Sequence, residues 1–311
     1  MTKINKNPTV AILLCTYQGQ KFIQEQLDSF TSQTFKDWQL YISDDHSDDN
    51  TLRIIKQFKI KNNDDRIIYT GPQSGFASHF FSLTEHSIIN ADFYAWSDQD
   101  DIWRKHKLMR AVKWLEKQPK NRPAVFCSRT CLVNEHNQII GFSPLFEKPK
   151  TFKNALVQNV GGGNTMVFNQ CARDLFLKVE KEFEIISHDW LMYQIVSGCG
   201  GEVFYDFSPL VRYRQHDSNA VGQNNTWIAR YKRFRMILKG RYRYWNHQNI
   251  QILESLKSEL TPENYKTLKM WTTLRQSSLI KRISLLRESG IYRQTFLENV
   301  TLYIAAFLGK L

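Results

Sequence analysis

Three carboxylates, Asp98, Asp100 and Asp101, stand close together in the segment W-S-D-Q-D-D-I-W, residues 96–103. They directly follow a short apolar run, 93–96, which is typical of the end of a buried strand. Clustered carboxylates there repel one another and are costly to desolvate. A hard divalent cation relieves both costs, because it prefers oxygen ligands and often bridges to substrate phosphates. The segment therefore indicates a metal and diphosphate site, although an isolated D-x-D is more often a solvated acidic turn.

The elements that must position these carboxylates form a repeating pattern in the first half of the chain. Apolar runs without polar alternation predict strands buried on both faces of a mostly parallel sheet. Segments with apolar residues at three- to four-residue spacing separate them and predict helices on both faces of that sheet. The predicted strands are 10–15, 38–43, 66–69 and 93–96, and the predicted helices are 22–30, 48–59 and 77–89.

Polar residues stand at three of the predicted strand ends. Thr16 and Tyr17 follow the first strand, Asp44 and Asp45 follow the second, and the acidic segment follows the fourth. In open α/β sheets the ligand lies outside the carboxyl ends of the strands. These groups are therefore expected to converge on one crevice, which a random acidic turn would not produce.

The second half of the chain is less regular. Strands are predicted at 124–128, 131–133, 202–205 and 210–214, and a helix at 185–196. Gly161, Gly162 and Gly163 precede Asn164, and such glycines indicate a tight bend or backbone packed close to a ligand. Helices are further predicted at 246–259, 263–285 and 291–307.

Composition bounds the class of protein. The chain has 311 residues, of which 42% are hydrophobic and 23% charged, as in soluble globular proteins. No secretory signal or membrane-spanning apolar run is expected. The five cysteines are odd in number and scattered, which favours reduced thiols in a cytosol. Cys127 and Cys131 with His136 lack a fourth ligand at finger-like spacing, so a zinc site is disfavoured.

The net charge of +12 is concentrated near the C-terminus. Residues 223–311 hold 16 Lys and Arg against 5 Asp and Glu, so the first 222 residues are nearly neutral. From Thr226 the pattern predicts a basic amphipathic helix bearing Trp227 and Tyr231. Three interpretations remain open for this region: contact with an anionic membrane, packing on the protein or in a homodimer, and nucleic-acid binding. The near-neutral core argues against nucleic acid.

Several further motifs stand in a fixed order around the acidic segment. They are A-I-L-L-C-T-Y-Q-G-Q-K-F-I, L-D-S-F-T-S-Q-T, Y-I-S-D-D-H-S-D-D-N-T, W-S-D-Q-D-D-I-W-R-K-H-K-L, G-G-G-N-T-M-V-F-N, S-H-D-W-L-M and Y-R-Q-H-D-S-N-A-V-G. In this order and spacing the chain resembles the family 2 glycosyltransferases over residues 8–222. The resemblance implies an α/β GT-A fold with a mostly parallel central sheet, whose catalytic domain is 1–222, with a nucleotide-binding half at 8–115 and an acceptor-binding half at 116–222. A basic helical C-terminal region, 223–311, follows.

Within that family, S-D-Q-D-D-I-W, H-D-W and Y-R-Q-H-x-x-N resemble the bacterial rhamnosyltransferase branch. The resemblance implies an inverting enzyme that transfers L-rhamnose from dTDP-L-rhamnose to a glycan or polyprenyl-diphosphate-linked acceptor in cell-surface polysaccharide synthesis. It would act in the cytoplasm, at the inner face of the cell membrane. A UDP-sugar donor such as UDP-galactose or UDP-glucose is the alternative, and a non-catalytic nucleotide-sugar-binding protein is a further one.

The resemblance also implies roles for individual residues. The nucleotide is expected at Thr16, Tyr17, Asp45 and Asp98. The metal, Mg²⁺ or Mn²⁺, is expected at Asp100 and His216, and the diphosphate at Arg212 and Arg214. Asp44 or Asp45 could instead have a capping and turn role, and a lone His such as His216 is more often structural.

Asp189 is the candidate general base, because inverting transfer needs a carboxylate to take the proton of the acceptor hydroxyl. The alternative is a helix N-terminal acid. The pocket for the donor sugar and acceptor is expected at Gly162, Gly163, Asn164, His188 and Trp190. Asp101 is expected to start a helix over 102–115.

Overall fold

The computed structural model describes residues 8–216 and 240–311. Its strands are β1 (Val10–Thr16), β2 (Trp38–Asp44), β3 (Ile68–Thr70), β4 (Phe93–Ser97), β5 (Ile102–Trp103), β6 (Ala124–Val133), β7 (Ile139–Phe142), β8 (Val167–Asn169) and β9 (Glu202–Arg214). Its helices are α1 (Ile23–Thr31), α2 (Thr51–Lys61), α3 (Phe76–Glu85), α4 (Lys107–Leu115), α5 (Phe152–Ala155), α6 (Gln170–Phe176), α7 (His188–Gly198), α8 (Arg241–Ser255), α9 (Pro262–Gln276), α10 (Leu279–Ser289) and α11 (Phe296–Phe307).

The strands form one mixed sheet in the order β3-β2-β1-β4-β8-β6-β9-β5, with β7 paired to β6. Strands β1 to β4 run parallel, as do β6 and β9. The short strands β5, β7 and β8 pair antiparallel with their neighbours. This is the GT-A-like architecture with a C-terminal helical region that the sequence predicted.

The sheet is buried on both faces, as the unalternating apolar runs predicted. Successive residues of β1 belong to different cores. Ala11 and Leu13 pack with Trp96 and Phe168, whereas Ile12 and Leu14 pack on the opposite face. Because the two faces are equally covered, only the strand ends of β1 offer polar groups to a ligand.

The described part of the C-terminal region forms a third core of its own. Leu268 and Trp271 of α9 pack with Phe152 of α5 and with Leu156, so this core is joined to the catalytic part of the chain. Helix α11 begins with a capping box between Thr295 and Glu298. The predicted basic helix at 226–239 and the predicted boundary at residue 222 lie outside the described residues, and the domain division stays a prediction.

Several element predictions were wrong in detail. Strands β6 and β9 are each continuous where the sequence predicted two strands, and their pairing shifts register near Arg129. The long predicted helix at 263–285 is two helices, α9 and α10, because α9 ends at Gln276 and α10 starts after the Ser277-Ser278 break. Over residues 8–216 and 240–311, no helix is long and apolar enough to cross a membrane.

Candidate active site

The carboxyl ends of β1, β2 and β4 meet at one edge of the sheet. Thr16 lies beside Asp44 in the β1–β2 register, and Leu14 lies beside Ser97 in the β1–β4 register. The residues that follow these strands are therefore neighbours in space, and the structure brings together the three polar groups that the sequence placed at strand ends.

Asp44 and Asp45 have different surroundings. Asp44 is buried and accepts hydrogen bonds from Thr16 Oγ1 at 2.7 Å and from Ser47 N at 2.8 Å. Asp45 is half-buried and accepts from the backbone N–H of Gln73 at 2.7 Å. Asp44 thus shapes the turn after β2, while Asp45 is the more accessible of the two carboxylates.

Tyr17 is open to solvent and is joined to the acidic segment through its backbone. Its side chain is 58% exposed. The carboxamide of Gln99 accepts from Tyr17 N at 2.8 Å and donates to Tyr17 O at 2.6 Å. A Cβ at Gly19 would collide with that carboxamide, so a larger residue there would displace the Gln99 side chain. The loop after β1 and the acidic segment are consequently held together.

Asp98 and Asp100 are the partly buried carboxyl groups of the acidic segment, whereas Asp101 is fully buried. Burial, and then the charges of Asp100 and Asp189, raise the pKa of Asp98 to about 8. Asp100 Oδ2 lies 2.7 Å from Nε2 of His216, and both side chains are mostly but not fully buried. Carboxyl groups are therefore concentrated at this edge of the sheet, close enough for Asp100 and Asp189 to disfavour ionisation of Asp98.

Asp101 corrects a prediction: it does not start a helix. The next two residues form β5, and α4 begins only at Lys107. Asp101 is fully buried, where it accepts hydrogen bonds from the Asn164 side chain and from Arg214 N at 3.1 Å. Burial and the charges of Asp100 and Asp98 raise its pKa well above the usual range. It connects three separate parts of the chain.

Arg214 is fully buried beneath the acidic segment. Its Nε donates to Asp100 O at 3.0 Å, its Nη1 to Glu135 O at 2.6 Å, and its Nη2 lies 3.0 Å from Glu25 Oε1. Its guanidinium therefore supports the backbone of the acidic segment. Arg212 is half-buried and donates to Asn137 Oδ1 at 2.8 Å. A diphosphate role for either arginine stays a prediction.

Asp189 lies in the first turn of α7 and is fixed by three donors. Its Oδ2 accepts from Gly163 N at 3.0 Å, and its Oδ1 accepts from Trp190 N at 2.7 Å and from Ser187 Oγ. It is half-buried, and its charge contributes to the raised pKa of Asp98, so the two carboxyl groups lie near each other. The structure thus places the candidate base, Gly163 and the D-x-D pair around one space.

His188 and Trp190 support this arrangement from below. The His188 ring stacks on Phe80 at 4.2 Å and meets Trp96 edge-on at 4.7 Å. Burial lowers the pKa of His188 to about 4, so the ring is neutral near pH 7. A Cβ at Gly163 would collide with His188 Nε2. Trp190 Nε1 donates to Ala155 O at 2.7 Å, which places that ring in the core.

The remaining predicted pocket residues lie beside these. Gly162 precedes a 3-10 turn, Gly163–Thr165, that leads into β8. Asn164 is buried and directed at Asp101.

Sequence reasoning missed Gln99 and Lys107. Lys107 is fully buried, with its Nζ 3.2 Å above the ring of Trp103, and burial lowers its pKa well below the usual range. The run R-K-H-K resembles a solvated basic face, and no local signal separates Lys107 from its neighbours. A nearby buried carboxylate, Asp101, partly offsets its burial.

Asp100 and His216 are the described side chains that could hold a cation at this edge. Among residues 8–216 and 240–311, no group of three or more His, Cys, Asp or Glu is arranged to hold a metal. Two protein ligands nevertheless fit Mg²⁺ or Mn²⁺, which commonly take their remaining ligands from water and substrate phosphates. Imidazole suits Mn²⁺ better than Mg²⁺. Cys127 and Cys131 are buried free thiols and form no zinc site with His136.

Comparison with known proteins identifies the family. The sequence model of glycosyl transferase family 2 matches residues 11–176. The chain belongs to this family. It is 30% identical to the dTDP-rhamnosyl transferase RfbG of Shigella flexneri over 74% of this chain and 81% of that one. It is 28% identical to the UDP-Glc:alpha-D-GlcNAc-diphosphoundecaprenol beta-1,3-glucosyltransferase WfgD of Escherichia coli, over 50% of this chain and 57% of that one.

Solved structures of low identity share the fold. TarS 1-349 of S. aureus, in complex with UDP-GlcNAc, aligns with a TM-score of 0.55 and 12% identity over 96% of this chain and 90% of that one. The mannosyltransferase PcManGT of Pyrobaculum calidifontis, in complex with GDP-Man and Mn²⁺, aligns with a TM-score of 0.51 and 15% identity over 98% of this chain and 86% of that one. At such identities the likeness supports the GT-A-like fold alone.

Proposed function

We propose that this family 2 glycosyltransferase is an inverting rhamnosyltransferase that acts in bacterial cell-surface polysaccharide synthesis. The observation that carries the mechanism is the position of Asp189. Its carboxylate is fixed by Gly163 N, Ser187 Oγ and Trp190 N, and it lies near enough to Asp98, in the acidic segment that follows β4, to raise the pKa of that carboxyl group. A fixed carboxylate across from a diphosphate site is what an inverting transfer requires of a general base.

In the proposed reaction Asp189 accepts the proton of an acceptor hydroxyl. The hydroxyl oxygen then forms a bond to the anomeric carbon of the donor sugar. The bond between that carbon and the diphosphate oxygen breaks on the opposite side, so the configuration inverts. Asp100 and His216 would hold the metal, and a bound Mg²⁺ or Mn²⁺ would supply neutralisation of the charge on the departing diphosphate.

The nucleotide is proposed to lie at the ends of β1 and β2. Tyr17 is exposed enough to stack on a base, and the accessible carboxylate of Asp45 could accept the N3–H of thymine or uracil. Thr16 is buried against Asp44 and would act through the turn, and Asp98 would face the ribose or a metal-bound water. The diphosphate would lie near Arg212, while Arg214 would hold the backbone of Asp100.

The identity of the donor rests on a relative. The similarity to RfbG, whose name states a dTDP-rhamnosyl transferase, favours dTDP-L-rhamnose. The similarity to WfgD favours a UDP-sugar as the second candidate. Thymine and uracil share the N3 edge, so a contact from Asp45 would not distinguish the two donors.

A donor screen tests this proposal. Purified protein would be incubated with Mn²⁺ or Mg²⁺, a lipid-diphosphate-linked acceptor extract and a panel of dTDP- and UDP-sugars, and nucleotide release would be measured. We expect dTDP-L-rhamnose to give the largest acceptor-dependent release. Preferential release of UDP would replace it with the second candidate, and no release from any donor would contradict turnover altogether.

We also propose that the C-terminal region contacts an anionic membrane, where a polyprenyl-diphosphate-linked acceptor would be found. Helix α11 presents an exposed apolar face at helical spacing, and Phe296 at its start is 80% exposed. The face consists of Phe296, Leu297, Val300, Tyr303, Ile304, Phe307 and Leu308. Two copies of this region would repel, since each holds 16 Lys and Arg against 5 Asp and Glu, so an anionic surface fits the face better than a homodimer.

Vesicle binding tests this second part. Phe296→Ser together with Phe307→Ser should weaken binding to phosphatidylglycerol vesicles, whereas the matched change Ile60→Ser, at an equally exposed position of α2, should not. If the double variant instead converts a dimer to a monomer and leaves vesicle binding intact, the face is a dimer interface.

A further inference from the structure

A groove of about 910 Å³ lies between α8 and α9, away from the elements that form the candidate active site. Its charged lining consists of four cations and one carboxylate: Arg243, Lys257, Lys269, Arg275 and Glu254. Aromatic side chains, among them Tyr244 and Tyr265, complete its walls. The groove therefore combines a net positive charge with surfaces that can pack on a ligand.

The one carboxylate is already committed to one of the cations. Glu254 Oε2 lies 3.1 Å from Lys269 Nζ. Within residues 8–216 and 240–311, neither Arg243 nor Arg275 forms an ion pair with a carboxylate. Residues 1–7 and 217–239 contain one acidic residue, Asp217, so at most one further carboxylate could neutralise the groove. The groove thus retains an excess of positive charge.

The two arginines are held close to each other. Arg275 Nη2 donates to the backbone carbonyl of Arg243 at 2.8 Å. Burial, and then the charge of Arg243, lower the pKa of Arg275 to about 10, which reflects two neighbouring positive charges. Arg275 Nε is buried and has no hydrogen-bond partner among the described residues. Folding has brought like charges together and left a buried donor unused, an arrangement that costs free energy unless an anion is bound.

We propose that this groove binds a phosphoryl anion, of the phosphate or diphosphate class, through Arg243 and Arg275. Guanidinium groups match phosphate oxygens with paired, charge-assisted hydrogen bonds. Lys257 adds charge at the rim, and Lys269 remains paired with Glu254. The site is separate from the proposed donor site, because it shares no residue with the strand ends that form the latter.

Two sources could supply this chemistry: a free phosphoryl compound or the headgroup of a phospholipid. The test uses the full chain in a chelator, so that the metal-free Asp100 and Asp189 repel anions at the donor site. Inorganic pyrophosphate binding is measured by calorimetry. Partition onto vesicles is measured with phosphatidylglycerol mixed into phosphatidylcholine and with phosphatidylcholine alone.

The informative variant is Arg243→Gln, because the structure uses the backbone of Arg243 rather than its exposed side chain for internal contacts. Arg287→Gln is the matched control, since it removes one exposed charge from α10 outside the groove. Loss of a charge-assisted pair should weaken pyrophosphate binding about tenfold in Arg243→Gln and leave it unchanged in Arg287→Gln. Arg275→Lys keeps the charge but removes the planar fork, and should also weaken binding.

The outcomes separate the sources and can overturn the site. Weaker pyrophosphate binding in Arg243→Gln alone supports a site for free phosphoryl compounds. Absent pyrophosphate binding, with selective loss of phosphatidylglycerol partition in Arg243→Gln, supports a site for lipid headgroups. Equal behaviour of Arg243→Gln and Arg287→Gln with both probes overturns the proposal. Thermal unfolding checks that each variant is folded, and Arg275→Lys decides the matter if Arg243→Gln is not.

Discussion

The acidic edge of the sheet (Asp98 and Asp100) and the cationic groove (Arg243, Lys257, Lys269 and Arg275) gather side chains of opposite type. In both regions folding gathers like charges and leaves them incompletely paired. Asp101 is different, because it is fully buried and receives hydrogen bonds from two protein donors, the Asn164 side chain and Arg214 N. Within the segment that follows β4, the contrast indicates that Asp101, whose carboxyl group is satisfied by protein donors, belongs to the scaffold, whereas Asp98 and Asp100 indicate a ligand of opposite charge.

Asp189→Asn removes the proposed base beside the acidic edge and should have the largest effect. An amide cannot accept the acceptor proton, so we expect turnover to fall by about 10²- to 10⁴-fold. Donor affinity should stay the same, because Asp189 is proposed to contact the acceptor. Steady-state kinetics and nucleotide titration measure the two quantities, with Asp174→Asn, at an exposed position of α6, as the control. Near-normal turnover of Asp189→Asn would remove the base from the mechanism.

His188 gives a pH test of the support beneath the acidic edge. Its pKa is lowered from 6.5 to about 4 in the folded state, so the unfolded chain binds a proton first as the pH falls. Stability should therefore be complete above about pH 6.5 and decline by about 3 kcal/mol towards pH 4. Denaturant unfolding from pH 7 to 4 measures this slope. The slope should be shallower by one proton in His188→Gln, and identical slopes would show that the ring is not held neutral.

Asp100→Asn tests the proposed metal ligand of the D-x-D-D segment. Loss of a charged ligand should raise the Mn²⁺ concentration for half-maximal activity about 10- to 100-fold. Metal titrations of activity measure this value. If Asp100→Asn needed the same Mn²⁺ concentration for half-maximal activity as the unchanged protein, Asp100 would not be a metal ligand.

Asp101→Asn changes the carboxyl group of the D-x-D-D segment that already receives two protein donors, and it should have the smallest effect. The amide keeps one acceptor but no charge, so we expect a loss of about 1 kcal/mol in the free energy of unfolding. The metal requirement should change little, because Asn164 and Arg214 N already use this carboxylate. Denaturant unfolding and the same metal titration give both readings. If Asp101→Asn shifted the metal requirement as far as Asp100→Asn, saturation by protein donors would not separate scaffold from ligand.

Much of the fold was predictable because its signals are local. The uninterrupted apolar runs of β1, β2 and β4 gave both the strands and the common edge at which Thr16, Asp44 and the acidic segment meet. Strands β6 and β9 were split in the prediction because polar residues interrupt each of them. In β6 the interruption is Ser128 to Thr130, where pairing with β9 changes register.

The site was predictable in its members but not in their division of labour. Asp101 follows Asp100 directly, and no local pattern shows that it would be buried against Asn164, 63 positions away. Arginine is a residue type that commonly binds phosphate, yet the guanidinium of Arg214 contacts Asp100 O, Glu135 O and Glu25. Such roles depend on contacts between distant segments, which spacing within one segment cannot specify.

The Gln99 carboxamide, which bonds to both backbone groups of Tyr17, has a thermodynamic consequence. A base stacked on Tyr17 and a metal at Asp100 would each restrict the same pair of joined segments. The second ligand would then lose less conformational entropy than the first, so nucleotide and metal should bind with positive cooperativity. Reciprocity requires equal enhancement in both directions, and nucleotide titrations with and without Mn²⁺ measure it. The Gln99 carboxamide would thus couple the affinity for the nucleotide to the affinity for the metal.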